Sequence, residues 1–302
     1  MIFGNLLEPT ARARRVLVLG AGLAGLAAGY ELMRAGHDVT LLEARMLPGG
    51  RVRTLRAPFA DGLYAEAGAA RIPDDHAWTM GYIRHFGLAL TPFRPQPSRD
   101  VRYLRGRRFE ATQADDFDYA RLPLALSELE RRIGLREEWR RIMGPVLDEV
   151  GDPAAPGWPG QALLRYDRLA DAQLLLERGL SPDAVAWEML GDCDPSDGEW
   201  ALSALDALRL WALRERETAR YKIVGGNDLL PAAFAQRLSA RIVYGAEVRR
   251  IEQNATEVRV GYRRAGLDEL LSADHAICAL PLPILRGLQV SPPLPAILQR
   301  AM

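Results

Sequence analysis

The sequence predicts an α/β protein, in which a parallel β-sheet covered by helices is combined with a long helical insertion. Two short apolar runs, at 16–19 and 39–42, flank a segment with helical spacing, as in a β-α-β unit. A glycine-rich turn follows the first run at once. Helical periodicity dominates residues 115–220, and these three observations together predict the fold class.

In the first part of the chain, strands are expected at 15–20 and 38–43, on either side of a helix at 22–35. Gly36 is expected to end this helix, because glycine readily takes the left-handed conformation found there. Residues 47–75 are rich in glycine, proline and alanine, and they predict loops with short strands.

Shorter elements are predicted next: a helix over Trp78–Phe86, a proline-rich loop at 92–97 and a hairpin over 100–110 around Arg105–Arg107. The helical insertion has its clearest helical spacing over Leu122–Ile133 and Ala201–Leu213, with loops predicted at 151–160 and 192–198.

After the insertion, Tyr221–Gly226 is predicted to be a strand that returns to the parallel sheet. Asn227 is predicted to cap a helix over Leu229–Leu238, since asparagine is favoured at the N-cap position. Further strands are expected at 241–251, 256–263 and 269–279, with a turn at Arg264–Gly266, and Ala279–Pro283 is expected to end the last strand.

Composition and charge narrow the class of function. The 302 residues carry 39 basic and 39 acidic side chains, which argues against nucleic acid or an anionic membrane as a partner. Cys193 and Cys278 lack metal-ligand spacing and indicate a reduced, intracellular protein. Residues 1–15 show no signal-peptide pattern and no apolar run reaches the length of a membrane span, so a cytoplasmic location is expected.

The glycines of the first turn predict a Rossmann-like dinucleotide site. Gly20 allows the tight turn, Gly22 lets a phosphate approach the backbone, and Gly25 lets the helix pack closely on the strand. The helix N-terminus offers free N–H groups to a pyrophosphate. Glu43, at the end of the second strand, has the position of an acid that binds a ribose, and it argues against a ligand with a 2′-phosphate.

Glu43 does not separate NAD from FAD, but the next segment does. Gly49-Gly50-Arg51 and the following Val52-Arg53-Thr54 resemble the second signature of the flavin amine oxidase superfamily. In that superfamily two glycines and an arginine meet the phosphate and flavin side of FAD. The resemblance therefore implies FAD as the cofactor, and the alternative is a surface loop with solvated arginines.

Glu66–Pro73, which reads EAGAARIP, resembles the L-amino-acid oxidase branch of the superfamily. In that branch the segment passes the flavin, and its arginine holds the substrate carboxylate. The resemblance makes Arg71 the expected substrate-binding residue, since a guanidinium can donate two parallel hydrogen bonds to a carboxylate. The alternative is a structural ion pair between Arg71 and Glu66 or Asp61.

The resemblance continues in Ile223–Pro231, Gly245–Val248 and Ala273–Pro281. In the family, the valine that matches Val248 contacts the adenine of FAD through its backbone. The fingerprint and the resemblance together imply this set of cofactor-binding residues: Gly20, Gly22, Leu23, Ala24, Gly25, Glu43, Ala44, Gly50, Arg51, Gly68, Ala69, Ala70, Arg71 and Val248. No catalytic residue and no metal ligand is assigned. The four histidines are interpreted as structural, and Cys278 as a small core residue.

The resemblance also implies a domain organisation. Residues 11–60 and 221–290 are expected to form a discontinuous FAD-binding domain, and 61–114 part of a mixed α+β substrate domain. The helical insertion would occupy 115–220, and 291–302 would begin a truncated segment of the substrate domain.

Two departures from the family pattern bear on function. No histidine lies between His85 and His275, where some amino-acid oxidases offer one to the substrate. The family also continues beyond the position of Met302 with a lysine-bearing strand, aromatic substrate walls and a segment that closes over the flavin, and Lys222 lies elsewhere. We therefore expect a fragment, a chain completed by a second chain, or a half-open flavin pocket; a homodimer is a further expectation.

The reaction implied by the resemblance is the oxidation of an amine, most simply an L-amino acid. A neutral amine would lose a hydride from its α C–H to the flavin, and the imine would hydrolyse to a keto acid and ammonia. Dioxygen would reoxidise the flavin and leave as hydrogen peroxide. The alternatives are a polyamine or monoamine oxidase, a carotenoid-type desaturase, and an FAD-binding fragment or subunit of a split oxidase.

Overall fold

The computed structural model describes residues 7–93, 100–111, 117–189, 202–214 and 219–301. The chain divides into two compact units, of which unit 1 comprises residues 1–93 and 219–302 and unit 2 comprises residues 94–218. The predicted loop at 192–198, Cys193 and most of the predicted loop at 92–97 lie outside the described residues.

The strands are numbered in chain order. Those of the first part of unit 1 are β1 (Arg15–Leu19), β2 (Asp38–Glu43), β3 (Thr54–Leu55), β4 (Ala65–Glu66), β5 (Ile72–Pro73) and β6 (Leu90–Pro92). Unit 2 contains β7 (Asp100–Leu104) and β8 (Arg107–Ala111). The second part of unit 1 contains β9 (Arg220–Ile223), β10 (Ile242–Tyr244), β11 (Glu247–Gln253), β12 (Val258–Arg264), β13 (Leu267–Ala273), β14 (His275–Cys278) and β15 (Gln289–Ser291).

The α-helices of unit 1 are α1 (Leu23–Arg34), α2 (Ala77–His85), α8 (Leu229–Arg237), α9 (Leu282–Arg286) and α10 (Ala296–Ala301). Unit 2 contains α3 (Glu128–Ile133), α4 (Leu135–Val150), α5 (Asp171–Glu177), α6 (Pro182–Met189) and α7 (Ala204–Arg214). Short 3-10 helices cover Gln161–Arg168 and Ser239–Arg241. In the described parts of the chain, no helix combines the length and the apolar character needed to cross a membrane.

A four-stranded parallel sheet forms the framework of unit 1, in the order β10-β2-β1-β14. Leu17 of β1 pairs with Thr40 on one side and with Ala276 on the other, so β1 is a central strand. The side chains of residues 16–19 are buried, and α1 and α8 contribute to the core on one face of the sheet. The predicted β-α-β unit is confirmed, and Gly36 has the expected left-handed conformation, with φ of 91°.

The other face of the parallel sheet packs on a second sheet, in the order β13-β12-β11-β15. Leu19 and Leu42 of the parallel strands share a buried cluster with Val248 and Val260 of the second sheet. The predicted strand at 241–251 is therefore wrong in its continuity, because it divides at Gly245 (φ 71°) into β10 and β11, which belong to different sheets.

The predicted strand at 269–279 also divides, at Asp274. The preceding part is β13, which pairs antiparallel with β12, and the following part is β14, which pairs parallel with β1. The predicted turn before β13 is confirmed, since Ala265 and Gly266 both have left-handed backbone angles, as a tight hairpin requires.

The interpretation of Cys278 as a core residue is wrong, because its side chain is exposed. Cys278 lies in β14, which pairs with β1 at one end of the parallel sheet. A strand at the end of a sheet is covered less completely than a central one, and the other residues of β14 are exposed or half-buried as well.

The predicted return of Tyr221–Gly226 to the parallel sheet is wrong. The strand exists as β9, but it is the middle strand of a separate antiparallel sheet with the order β5-β9-β6. Tyr221 pairs with Ile72 on one side and with Pro92 on the other, so both edges of β9 are already occupied.

Asn227 does not cap the following helix. Asp228 occupies the N-cap position of α8, and its side chain makes no capping hydrogen bond. The Asn227 side chain is buried and turns back instead, toward Ile223 and Ala69.

Unit 2 is built from helices around its own core, in which Leu135, Met143, Tyr166, Leu174 and Trp187 are almost fully buried. The hairpin β7–β8 is confirmed. The predicted helix at 122–133 begins later than expected, at Glu128, because Ser127 forms a capping box with Glu130.

Candidate functional site

Unit 1 contains a cleft of about 720 Å³ at the carboxyl ends of β1 and β2. Its walls come from the turn after β1, the segment after β2, the start of β11 and the segment around α9. The predicted cofactor-binding residues that line it are Gly20, Gly22, Leu23, Ala24, Glu43, Ala44, Gly50, Arg51 and Val248. The structure thus brings together residues that lie more than 200 positions apart in the chain.

The turn after β1 is shaped by its glycines. Gly20 has a left-handed φ of 98°, which allows the tight turn. A Cβ on Gly25 would overlap the carbonyl oxygen of Gly20, so only glycine permits this approach of α1 to the strand. Gly22, at the N-cap of α1, faces the cleft and leaves the backbone accessible there. This geometry suits a pyrophosphate at the helix N-terminus.

Glu43 is buried at the end of β2 and lines the cleft. One carboxylate oxygen accepts a 2.8 Å hydrogen bond from the backbone N–H of Ala21, and the other accepts a 2.9 Å bond from the N–H of Arg45. These two hydrogen bonds hold the carboxylate in place and leave acceptor capacity for a ribose hydroxyl. The charge of Glu43 also acts on Tyr244: burial raises the pKa of the Tyr244 hydroxyl, and the negative charge of Glu43 raises it further.

The second glycine pair packs directly on the first turn. The backbone N–H of Gly49 donates a 2.8 Å hydrogen bond to the carbonyl of Ala21, and Gly22 and Gly49 form an isolated parallel bridge. Gly49 and Gly50 have left-handed φ angles of 111° and 58°. A Cβ on Gly50 would lie only 3.2 Å from the Gly22 Cα. This backbone-to-backbone packing is what places Arg51 at the cleft.

A third segment, residues 67–71, continues this layering. The N–H groups of Ala67 and Ala69 donate hydrogen bonds to the carbonyls of Arg53 (2.8 Å) and Arg51 (3.1 Å). A Cβ on Gly68 would overlap the Arg51 carbonyl oxygen, so this contact also requires glycine. The predicted residues that do not line the cleft are Gly25, Gly68, Ala69, Ala70 and Arg71.

Arg71 is exposed, and its guanidinium lies 5.3 Å from the centre of the Phe93 ring. Among the described residues, no carboxylate forms an ion pair with it. Glu66 is engaged elsewhere: its carboxylate accepts 2.8 Å hydrogen bonds from the Thr54 hydroxyl and from the backbone N–H of Asn227. The alternative interpretation, a structural ion pair between Arg71 and Glu66, is therefore not observed in the structure.

Several residues of the site were missed by sequence reasoning. Gly49, Arg45 and the segment at 279–288 all line the cleft, and Asn227 and Thr54 hold the neighbouring segments together. Gly49 is the first glycine of the second signature and carried that signal, although it is not in the predicted set of cofactor-binding residues. The others carry no local signal, because their roles arise from contacts between distant segments.

Two histidines have structural partners. The Nδ1 atom of His37 accepts a 3.2 Å hydrogen bond from the backbone N–H of Arg14, and His85 Nε2 lies 2.9 Å from the Tyr30 hydroxyl. Within the described ranges, no group of three His, Cys, Asp or Glu side chains is placed to hold a metal ion.

The residues present fit a dinucleotide cofactor. Only glycine fits at two close backbone contacts, a helix begins at the cleft, and a buried carboxylate faces it from the next strand. These are the parts that a Rossmann-like site uses for the pyrophosphate and a ribose.

Comparison with known proteins agrees with this geometry. The chain matches the family described as flavin containing amine oxidoreductase over residues 23–302. It is 33% identical to the L-amino-acid oxidase of Pseudechis australis over 294 residues, covering 96% of this chain and 55% of that protein. It is 32% identical to the L-amino-acid oxidase of Vipera ammodytes ammodytes over 301 residues, covering 99% of this chain and 60% of that protein.

Solved structures share the fold. A putrescine oxidase double mutant matches with a TM-score of 0.75 at 23% identity, over 95% of this chain and 62% of that chain. Cyclohexylamine oxidase from Brevibacterium oxydans IH-35A matches with a TM-score of 0.75 at 20% identity, over 96% of this chain and 63% of that chain.

The chain spans little more than half the length of the curated relatives. The predicted superfamily, fold class and flavin cofactor are confirmed, and the chain belongs to the family of flavin-containing amine oxidoreductases.

Proposed function

We propose that this chain carries the FAD-binding and carboxylate-binding parts of an L-amino-acid oxidase. The observation that carries the proposal is the placement of Arg71, whose guanidinium is exposed and pairs with no carboxylate among the described residues. It follows directly on the segment at 67–70, which packs against the backbone of Arg51. The relatives at 32–33% identity, which are L-amino-acid oxidases, support the same substrate class.

Gly20, Gly22 and the N-terminus of α1 would hold the pyrophosphate of FAD, and Glu43 would hold a ribose. Arg51 and Val248 would contact the cofactor from two other walls of the cleft. Bound FAD supplies the redox chemistry, which is acceptance of a hydride from the substrate α C–H and return of the electrons to dioxygen.

Arg71 would bind and orient the substrate. A guanidinium donates two parallel hydrogen bonds to a carboxylate, and this fixes the orientation of the α carbon as well as the affinity. The Phe93 ring beside the guanidinium restricts its position through a cation–π contact. No side chain is assigned as a general base, because a neutral amine can lose a hydride from its α carbon without one.

The alternatives are an amine oxidase whose substrate lacks a carboxylate, a carotenoid-type desaturase, and an FAD-binding chain without activity of its own. The putrescine and cyclohexylamine oxidases share the fold with this chain. A carboxylate-binding role for Arg71 would distinguish an amino-acid oxidase from an oxidase of such simple amines.

The test begins with the absorption spectrum of the purified chain after incubation with FAD. Peroxide formation is then measured with L-leucine, L-phenylalanine, putrescine and cyclohexylamine. Arg71→Ala should lower kcat/KM for the amino acids by roughly tenfold or more, because the charge-assisted hydrogen bonds to the carboxylate, worth about 1.5–3 kcal/mol each, are lost.

Arg84→Ala serves as the matched control, because Arg84 is exposed in the last turn of α2. An Arg71→Ala variant with unchanged efficiency on amino acids would refute the carboxylate anchor. Oxidation of the amines alone would favour an oxidase for simple amines, and FAD binding without any oxidation would favour the FAD-binding subunit.

A further inference from the structure

Asn227 is a buried polar residue that the proposed function does not use. Its Oδ1 atom accepts a 2.8 Å hydrogen bond from the backbone N–H of Ile223, and its Nδ2 atom donates a 2.9 Å bond to the carbonyl of Ala69. Its own backbone N–H donates a 2.8 Å bond to the Glu66 carboxylate. Asn227 thus connects the segment after β9 with the segment that leads to Arg71.

Arg71 lies between two attachment points. Two residues before it, the carbonyl of Ala69 is bound by the Asn227 amide. Directly after it, Ile72 begins β5 and pairs with Tyr221 of β9. Both points are supplied by residues 221–227, so the backbone of Arg71 is fixed relative to that segment from both sides.

Asn227 is itself held firmly. The Glu66 carboxylate that accepts from its N–H also accepts from the Thr54 hydroxyl, and that hydroxyl accepts a 3.2 Å bond from the N–H of Asp228. Gly226 has a left-handed φ of 122°, and a Cβ there would lie 2.6 Å from the Thr54 Cγ2 atom. The Asn227 amide is therefore presented to Ala69 from a rigid support.

We propose that Asn227 is a positioning residue for Arg71, and that its side-chain amide determines where the Arg71 guanidinium meets a substrate carboxylate. The inference rests on the proposed role of Arg71 as the carboxylate anchor.

An amide is the group this position requires. It must accept from the Ile223 N–H and donate to the Ala69 carbonyl at the same time, and an amide side chain offers both functions. An ionised aspartate keeps the acceptor for Ile223 but places a second oxygen against the Ala69 carbonyl. Asn227→Asp should therefore keep most of the local structure and push the Ala69–Arg71 backbone away.

The experiment measures binding of benzoate, a carboxylate with no amine to oxidise, to the FAD-loaded chain at pH 8. The affinity is taken from calorimetry and from the change in the flavin absorption spectrum. We expect Asn227→Asp to weaken benzoate binding by about tenfold, as expected when one charge-assisted contact is misplaced, while FAD occupancy stays at the wild-type value.

Asn254→Asp is the matched control. Asn254 lies in an exposed turn between β11 and β12, where its Oδ1 atom accepts from the N–H groups of Thr256 and Glu257, and aspartate preserves that acceptor. This variant should bind benzoate as the wild type does.

The double variant Arg71→Ala/Asn227→Asp shows whether Asn227 acts through Arg71. We expect it to bind benzoate no more weakly than Arg71→Ala alone, since residues in one network show non-additive effects. Additive losses, or wild-type affinity in Asn227→Asp, would overturn the positioning role and leave the anchor intact. Wild-type affinity in Arg71→Ala, or no benzoate binding by the wild-type chain, would instead refute the anchor and with it the role of Asn227.

If Asn227→Asp loses FAD or melts at a much lower temperature than the wild type, Asn227→Ala is measured in its place. Alanine removes both the donor to Ala69 and the acceptor for Ile223 without adding a charge, and it should show the same loss of benzoate affinity and the same non-additivity with Arg71→Ala. Both Asn227 variants could instead lose FAD and stability in general. If adding Asn227→Ala to Arg71→Ala then lowers FAD occupancy and stability as much as it does in the wild-type background, the proposal is overturned in favour of a purely structural role.

Discussion

The backbone N–H of Ala21 donates a 2.8 Å hydrogen bond to the buried carboxylate of Glu43, which joins the first glycine turn to the end of β2. The other carboxylate oxygen accepts from the N–H of Arg45. Glu43 therefore holds two walls of the cleft in place and also faces the space where a ribose would lie. The Glu43 carboxylate therefore has a structural role, in addition to the ribose-binding role that we propose for it.

Glu43→Gln tests this double role. One carboxylate oxygen becomes an NH2 group, which cannot accept from the N–H of Ala21 or Arg45, so one buried donor is left unsatisfied. We expect the free energy of unfolding to fall by about 1–3 kcal/mol and FAD affinity to fall by roughly tenfold or more. Thermal unfolding and calorimetric titration with FAD measure both effects. Glu252→Gln, in an ion pair with Arg250 on β11, should change neither.

Gly25→Ala tests the close packing of α1 on the first turn. The added Cβ would overlap the Gly20 carbonyl oxygen, and backbone cannot yield as a flexible side chain would. We expect a loss of about 2–3 kcal/mol or more in stability, together with loss of FAD binding. Gly160→Ala is the control, since nothing lies within 4 Å of a Cβ there. Wild-type melting and FAD affinity in Gly25→Ala would show that the turn can relax.

Gly68→Ala tests the contact between the second signature and the segment that leads to Arg71. Its Cβ would overlap the Arg51 carbonyl oxygen, which should push residues 67–70 away from Arg51. Gly20 and Glu43 lie in other segments, so we expect FAD to bind while benzoate affinity falls by about tenfold or more. Spectral titrations with each ligand separate the two effects, and equal losses of both affinities would contradict this expectation.

Glu130→Gln tests a buried acid in unit 2. The Glu130 carboxylate accepts hydrogen bonds from the backbone N–H groups of Ser127 (2.6 Å) and Ser181 (2.7 Å). Burial favours the neutral acid, but these hydrogen bonds outweigh it and lower the pKa of Glu130 from its usual 4.5. The carboxylate therefore adds stability above pH 4.5, and this contribution is lost as the pH falls through the lower pKa of the folded state.

We expect Glu130→Gln to lower the unfolding free energy by about 1–3 kcal/mol at pH 7. The difference from the wild type should shrink as the pH falls below 4.5. Calorimetric melting between pH 3 and pH 7 measures this dependence. Glu128→Gln, at an exposed position two residues earlier in the same turn of α3, should show no such pH dependence. A constant difference across the whole pH range would contradict the role of the ionised carboxylate.

Local sequence signals predicted the parts of the fold that depend on neighbouring residues. The strands at β1 and β2, the helix between them and its end at Gly36 follow from apolar spacing and from the backbone freedom of glycine. The hairpin β7–β8 was predicted for the same reason, since Arg105 and Gly106 form its turn with left-handed angles. These elements carry their determinants within a few residues.

The wrong predictions concern partners that lie far away in the chain. A strand as short as β9 has no local pattern that separates a parallel from an antiparallel partner, and its pairing with β5 and β6 depends on where those strands lie. Asparagine is favoured at the N-cap, which is why Asn227 is predicted to cap α8. In the structure its buried amide binds the Ile223 N–H and the Ala69 carbonyl instead, and the Ala69 carbonyl belongs to a distant segment.

The sequence by itself determined the β-α-β unit, the glycine turn that follows β1 and the family, because strand and helix spacing and the backbone freedom of glycine are set within short stretches of the chain. Only the tertiary structure decided that Gly22, Gly49 and Gly68 belong to successive layers of backbone, that Glu66 is taken up by Thr54 and Asn227, and that Arg71 remains accessible. The physical reason is that hydrogen bonds and close contacts between distant segments depend on the packing of the whole unit, whereas turn conformation and helix periodicity depend on adjacent residues alone.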